Sequence, residues 1–413
     1  MTDTILGTGA TALDAADPLA HFRERFRLRD GLIYLDGNSL GALPKATGDR
    51  LAEVIGDEWG EGLTTSWLGA EWSTAPPRLG DKIGRLLGAN PGEIVATDST
   101  SVNIFKALTA ALSLRRERTV ILSEATNFPT DVYMMQGIEA FSGGRVKAVT
   151  VAPDAVVDAL DQDVAVLLLT QVHYKSGRVR DMAAITRRAH EAGALVVWDL
   201  SHSAGAIPVD LNGANADFAI GCGYKFLNGG PGAPAYLFAA ARHHAATPVL
   251  SGWFGHARPF AFEEDYDPAA GIERFQCGTP PVLGLSALEV RVDLVLGADM
   301  AELRRKSLAL GDLFIERMAP LCDTYGFELA SMKDHAERGS QVSYAHPHGY
   351  QIVQALKEYD VIADFRAPDI LRFGLTPLYL RYRDIVDTVE RLEKVCATRA
   401  WDKPQYHQRA AVT

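Results

Sequence analysis

Between residues 119 and 240 the chain alternates continuous apolar runs with an amphipathic stretch, and that alternation restricts the fold more than any other feature. "TVILSEATNF" (119–128) reads as a strand entering a loop, and "VKAVTVAP" (146–153) as a strand stopped by Pro153. "DVAVLLLTQV" (163–172) has no polar side to show to water, as expected of a strand covered on both faces. "MAAITRRAHEAGA" (182–194) has helical periodicity ending at Gly193; "LVVWDLSH" (195–202), "DFAIGCGYKF" (217–226) and "APAYLFAA" (233–240) are apolar again. Such repetition predicts an α/β fold with a mostly parallel, mixed sheet flanked by helices. Only a few residues join the last two runs, so one antiparallel strand is expected.

A change comes near residues 280–290. From Gly284 to about Leu321 the pattern reads as one long helix, with Gly297 as a point of bending. Shorter elements follow, in the manner of a smaller α+β domain: "GFELAS", "SQVSYAH", "GYQIVQALKEY", "VIADFRAP", "ILRFGLTPLY" and "YRDIVDTVERLEKVCATRA". The expected organisation is an N-terminal segment, 1–55, packing with the small domain; a large domain, 56–290; and a small C-terminal domain, 291–413. The first 20 or so residues read as an irregular lead-in, and the tail "WDKPQYHQRAAVT" as partly disordered.

With 413 residues, 47% of them hydrophobic, the chain can bury a sizeable core. Its net charge is −11 and it has no Lys/Arg-rich run, which argues against nucleic acid or an anionic membrane as partner. Cys222, Cys277, Cys322 and Cys396 are scattered, so neither a disulfide framework nor a zinc site is expected. The N-terminus has no secretory signature and no apolar run reaches membrane-helix length, so the chain reads as cytoplasmic. The histidines at 243–244 and in "HPH" (346–348) lack partners at ligand spacing and read as surface residues.

"GCGYKFLNGGPG" (221–232) holds a single lysine, Lys225, among small residues and aromatics. Small neighbours permit close approach of backbone to a ligand, and a desolvated lysine is a nucleophile toward aldehydes. Asp199 stands at the end of the preceding apolar run, with His202 three residues on. In open parallel sheets the carboxyl ends of strands form the ligand crevice. Lysine and carboxylate would therefore face one pocket. Pyridoxal phosphate needs such a lysine, an acid at its pyridine nitrogen and a phosphate cradle. "ATDSTSVNIFKALTAAL" supplies hydroxyls and free N–H groups at a helix start, at Asp98, Ser99, Thr100 and Ser101. Taken alone it is also an ordinary helix cap. Phe128 and Asp131 follow another strand, where an aromatic can stack on a flat ring. Gly221-Cys222-Gly223 lacks the third glycine of a dinucleotide fingerprint.

Together these segments resemble the kynureninase family, of the bacterial type, which has the fold of fold-type I pyridoxal phosphate enzymes. The resemblance runs from about residue 34 to 390 and rests on "YLDGNSLG", "NFPTD", "WDLSHSAGAIPVDL", "GCGYKFLNGGPG", "GWFGH", "GTPPVLGLSALE" and "LRFGLTPLY". It implies that Lys225 is the Schiff-base lysine and that Tyr224 reaches the phosphate and assists proton transfer. Asp199 would pair with the pyridine nitrogen and His202 support the site. Thr100 and Ser101 would bind phosphate, and Phe128 would stack on the ring, with Asp131 and Thr170 nearby. Trp253 and Thr279 would complete the phosphate site from a second subunit, which implies a homodimer with shared active sites. Arg372 would clamp the substrate carboxylate.

The implied reaction cleaves the Cβ–Cγ bond of L-kynurenine by water, giving anthranilate and L-alanine, in tryptophan catabolism by the kynurenine pathway and NAD biosynthesis. The substrate ring is expected to meet Trp59, Gly278 and Thr279, of which the bulky indole and the glycine offer no obvious partner to an extra ring hydroxyl. Kynurenine is therefore expected over 3-hydroxykynurenine. The alternative, a cysteine desulfurase or selenocysteine lyase, needs a persulfide-accepting cysteine on a mobile loop. Cys277 in "FQCGTPP" stands nearest to that requirement, while Cys322 and Cys396 lie in helical contexts.

Overall fold

The computed structural model describes residues 2–246 and 248–409. The N-terminal part carries α1 (Thr2–Ala15), β1 (Ile33–Tyr34), α2 (Lys45–Glu53), a π-helical segment (Val54–Glu61), the short α3 (Ser66–Gly69) and α4 (Ala75–Leu87). The central part runs β2 (Ile94–Ala96), α5 (Thr100–Ser113), β3 (Val120–Glu124), α6 (Pro129–Phe141), β4 (Lys147–Val151), β5 (Val164–Thr170), α7 (Met182–Glu191), β6 (Leu195–Asp199), β7 (Phe218–Gly221) and β8 (Tyr236–Ala239). The last part holds α8 (Val282–Leu296), α9 (Met300–Tyr325), β9 (Glu328–Leu329), β10 (Gln341–Ala345), α10 (Gly349–Lys357), β11 (Val361–Ile362), β12 (Asp364–Arg366), β13 (Ile370–Gly374) and α11 (Tyr382–Ala397).

Seven strands form the large sheet, in the order β2-β8-β7-β6-β5-β3-β4. From β4 to β7 every pairing is parallel, and β8 is antiparallel to both neighbours. This is the α/β architecture the apolar runs predict, with the expected antiparallel strand. Every residue of β5 and of β6 is buried, because apolar clusters cover both sheet faces. A four-stranded sheet, β12-β13-β10-β9, packs with α9, α10 and α11 around a third cluster.

Several expectations are corrected. The lead-in is helical: α1 packs against α11, and Asp14 accepts hydrogen bonds from the Tyr382 and Arg383 amides at 2.6 and 3.1 Å, satisfying the start of α11. The long helix is two helices. It breaks at Gly297, and the Asp299 side chain then caps α9 by accepting from the Ala301 amide at 2.7 Å. Within the tail, Trp401 stacks on His348 and Tyr406 is buried; residues 410–413 lie outside the described residues. The paired histidines are structural. His243 bonds the buried Asp217 at 2.8 Å, and His346 is buried against the Tyr325 carbonyl at 3.1 Å.

The N-terminal segment crosses between the two sheets. β1 pairs in parallel with β11, and the Gly41 amide then donates to the Tyr224 carbonyl at 2.8 Å. Asn228 donates to the Ala42 carbonyl at 3.0 Å. The contact leaves no room for a side chain, since a Cβ on Gly41 would stand 2.2 Å from Asn228 Cγ and 2.5 Å from the Lys225 carbonyl oxygen. Among the described residues no helix is long and apolar enough to cross a membrane. Gly41→Ala is expected to cost about 1–3 kcal/mol of stability, read as a lower urea midpoint; an unchanged midpoint would show that this contact does not hold the segment.

Candidate active site

The carboxyl ends of β3, β5, β6 and β7 open into one crevice. Register sets its chemistry: Thr170, the last residue of β5, lies opposite Asp199, the last of β6. Beyond β3, Phe128 precedes α6 and Asp131 occupies its first turn. Beyond β7 the chain turns back, so Lys225 lies four residues past the strand rather than at its end. Its Nζ still reaches His202 Nε2 at 3.1 Å and stands 5.4 Å from the Phe128 ring centre.

Asp131, Asp199, His202 and Lys225 are all buried. Asp199 accepts from the Ser201 amide at 2.7 Å. Thr170 donates to Asn127 and approaches Asp131 Oδ2 at 3.4 Å, while Asp131 Oδ1 and His202 Nδ1 have no hydrogen-bond partner among the described residues. Burial is the largest influence on Asp131, Asp199, His202 and Tyr224. It pushes the Asp131 carboxyl well above the carboxylate range, with repulsion from Asp199 adding to it. It raises Asp199 too, against the attraction of Lys225. It holds His202 well below an ordinary imidazole, and Lys225 strengthens that effect. The Tyr224 phenol is raised by burial and by the Cys222 thiol and Asp199.

A cavity of about 630 Å³ opens onto Asp199, Tyr224 and Lys225, while Asp131, Thr170 and His202 lie behind its lining. Phe128, Asp199, Ser201, Tyr224 and Lys225 line one part of it, and Thr97–Ser101 another. There α5 begins, with Ser99 accepting from the Val102 amide at 3.4 Å. Gly278 and Thr279 line the cavity of their own chain. Trp253 is not part of that lining; it packs on Phe254, Phe260 and Phe262.

Arg372 lies outside this lining, on β13. Its Nε donates to Asp364 Oδ1 at 2.7 Å, its Nη2 to Asp364 Oδ2 and to Ser39 at 3.0 Å, and its Nη1 to the Tyr174 carbonyl at 2.6 Å. Asp36 lies in the same buried cluster, its carboxyl pushed up to about 7 by burial and by the Asp364 charge. Trp59 belongs to an adjoining apolar cavity of about 410 Å³, with Trp67, Trp72 and residues 280–284. Thr279 and Pro281 line both cavities.

Sequence reasoning missed Ser201, Thr130 and Pro231–Ala235 as cavity walls, and Trp67 and Trp72 beside Trp59. The "DLSH" and "GPGAP" segments carried a signal for the first and third. Nothing local marks the tryptophans, whose meeting depends on how residues 54–72 fold back on 279–284.

The residues fit pyridoxal phosphate. An amine, a stacking ring and the buried Asp199 carboxylate line the cavity together with a hydroxyl-rich helix start. The Kynureninase C-terminal domain family model matches residues 303–392. A kynureninase of Burkholderia pseudomallei (strain K96243) is 49% identical over 98% of this chain and 99% of its own. One from Pseudomonas fluorescens is 48% identical over 97% and 98%. The chain belongs to the kynureninase family. Solved structures share the fold at greater distance. The cysteine desulfurase CsdA of Escherichia coli has a TM-score of 0.75 at 20% identity, covering 92% of this chain and 98% of its own. A C-DES variant with glycine covalently linked to its PLP cofactor has a TM-score of 0.74 at 19% identity, covering 92% and 99%. The desulfurase alternative is thus a relationship of fold. At this kynureninase site Cys277 is half-buried, its thiol pushed up by burial and donating to the Leu250 carbonyl at 3.1 Å.

Because protonating His202 would bury a cation beside Lys225, its ring should stay neutral. Its ¹⁵N shifts are expected to be flat from about pH 8 to about pH 5.5, below the usual imidazole midpoint; a titration centred near the usual value would contradict this electrostatic picture.

Proposed function

We propose that this protein hydrolyses the Cβ–Cγ bond of L-kynurenine to anthranilate and L-alanine with pyridoxal phosphate, using the residues of the crevice at the carboxyl ends of β3, β5, β6 and β7. The observation that carries this reading is the contact of the Lys225 amine with His202, with Lys225 and the buried Asp199 lining the cavity that also holds the start of α5. Bound pyridoxal phosphate supplies the aldehyde that takes the substrate's amino group and a ring that accepts charge from its α-carbon.

This chain's side chains do the rest. Thr100, Ser101 and Tyr224 hold the phosphate, and Phe128 covers the ring. Asp199, within the field of Lys225, holds a proton at the ring nitrogen, and Asp131 and Thr170 support it. Lys225 takes the proton from the α-carbon; neutral His202 hydrogen-bonds the amine without competing for charge. The raised phenol of Tyr224 keeps its proton, which makes it a donor as Cβ departs from the hydrated γ-carbonyl. Arg372 is aligned by Asp364 and orients the α-carboxylate through the Nη1 hydrogen that its protein partners leave. The apolar cavity of Trp59 suits the substrate's ring and offers a ring hydroxyl little beyond Thr279.

This reaction places the protein in tryptophan catabolism by the kynurenine pathway and in NAD biosynthesis. The large domain, 56–290, carries the cofactor, and 291–413 together with 1–55 brings Arg372. The protein acts in the cytoplasm as a homodimer, with Trp253 serving the site of the second copy. Trp253 is 38% exposed, and neighbouring Phe260 and Phe262 are 53% and 77% exposed, an apolar surface suited to burial between copies.

Adding L-kynurenine to the purified holoenzyme should yield fluorescent anthranilate, with kcat/KM at least about tenfold above that for 3-hydroxykynurenine. Lys225→Ala should fold, lose the visible cofactor band and lose at least about 10³-fold in kcat, whereas Cys277→Ser should keep full activity. No anthranilate, or sulfur transfer from cysteine that Cys277→Ser abolishes, would overturn the reading. Sedimentation should give twice the chain mass.

A further inference from the structure

The cradle assigned to the phosphate contains a carboxylate. Asp98 lines the cavity between Thr97 and Ser99, with its side chain 24% exposed. A phosphate dianion should be repelled from such a place, yet the loop is built to keep Asp98 there. Asp98 has φ 51°, and backbone bonds join Thr97 and Asp98 to Ala235 at 2.9 and 2.8 Å. The Thr97 hydroxyl donates to Asp98 Oδ2 at 3.0 Å, and Asn103 holds the Thr97 carbonyl at 2.8 Å.

The compensating charge comes from beneath. Lys106, on α5, has no exposed side-chain surface, and its Nζ stands 2.6 Å from Asp98 Oδ2. The same ammonium donates to the Phe275 carbonyl. Phe275, itself buried, ends a short helical turn, and three residues on the chain reaches Gly278 and Thr279, which also line the cavity. One buried cation thus joins the loop that carries Asp98 to the segment leading into Gly278 and Thr279, without itself lining the cavity.

We propose that Lys106 is a positioning residue for the cofactor's phosphate: by neutralising Asp98 and tying the Thr97–Ser101 loop to the segment after Phe275, it makes the cradle accept a dianion. The proposal rests on the reading of Thr97–Ser101 as the phosphate site. Its signature is selectivity for the phosphate, since pyridoxal shares the ring and aldehyde but lacks the anion. Removing a buried ion's partner is costly, and here the cost falls on whatever anion enters.

The experiment titrates cofactor-stripped full-length protein with pyridoxal phosphate and with pyridoxal, following absorbance. Lys106→Met should weaken pyridoxal phosphate at least about tenfold and pyridoxal less than about twofold. Asp98→Asn keeps a residue tolerant of positive φ and should leave pyridoxal phosphate as tight or tighter. The Asp98→Asn/Lys106→Met pair should bind it tighter than Lys106→Met alone. Equal loss of both ligands in Lys106→Met, no loss at all, or a double variant no better than the single overturns the proposal. If Lys106→Met fails to fold, Asp98→Asn decides: selective weakening of pyridoxal phosphate overturns charge neutralisation. Ser101→Ala is the separate control. If it does not weaken pyridoxal phosphate selectively, the cradle assignment falls instead.

Discussion

The parallel register of β5, β6 and β7 is the constraint on which the site depends. It sets Thr170 opposite Asp199 and Asp199 opposite Ile220, so the chain leaving β7 turns back over the end of β6. A one-residue slip would send Asp199 to the other face of the sheet and bring an apolar side chain to the crevice. The slip is opposed by burial on both faces, where each inward residue of β5 and β6 meets one of two different apolar clusters. The hydrophobic packing that holds the sheet together therefore also specifies where the carboxylates stand.

What that packing surrounds is costly. Asp131, Asp199 and His202 lose most of their water, and Asp131 Oδ1 and His202 Nδ1 gain no hydrogen-bond partner among the described residues in return. Such groups lower stability unless a ligand satisfies them. They are held because neighbours over-determine their places: Ser201 on Asp199, Thr170 and Asn127 around Asp131, Lys225 on His202. The N-terminal segment closes over the lysine turn through Gly41 and Ala42, while Ser39, from the same segment, bonds Arg372 on the small sheet. Three distant stretches of chain thus converge on one volume.

Much of the fold and many of the site residues were legible in the sequence because they obey local rules. Continuous apolar runs marked β5 and β6, the short link marked antiparallel β8, and the hydroxyl cluster marked the start of α5. Asp199 and Lys225 stood out as polar groups at the ends of buried runs. The misreadings have a common cause. Gly297 could bend a helix or end it, and the cap at Asp299 ended it. The helical α1 is held by contact with α11, where Asp14 meets Tyr382 across 368 residues, and the paired histidines by Asp217, Ala239 and Tyr325.

By itself the sequence determined the alternation of elements, the lysine in its glycine-rich turn, the acid at the end of β6 and the family to which these belong. Each follows from periodicity or from the chemistry of adjacent residues, which act over a few bonds. Only the tertiary structure decided that Asp364 and Ser39 hold Arg372, that three tryptophans line one apolar cavity, and that Lys106 bonds both Asp98 and Phe275. Those contacts join elements that meet only when two sheets and an N-terminal segment bury their apolar faces together. Their energies depend on how much water that burial removes.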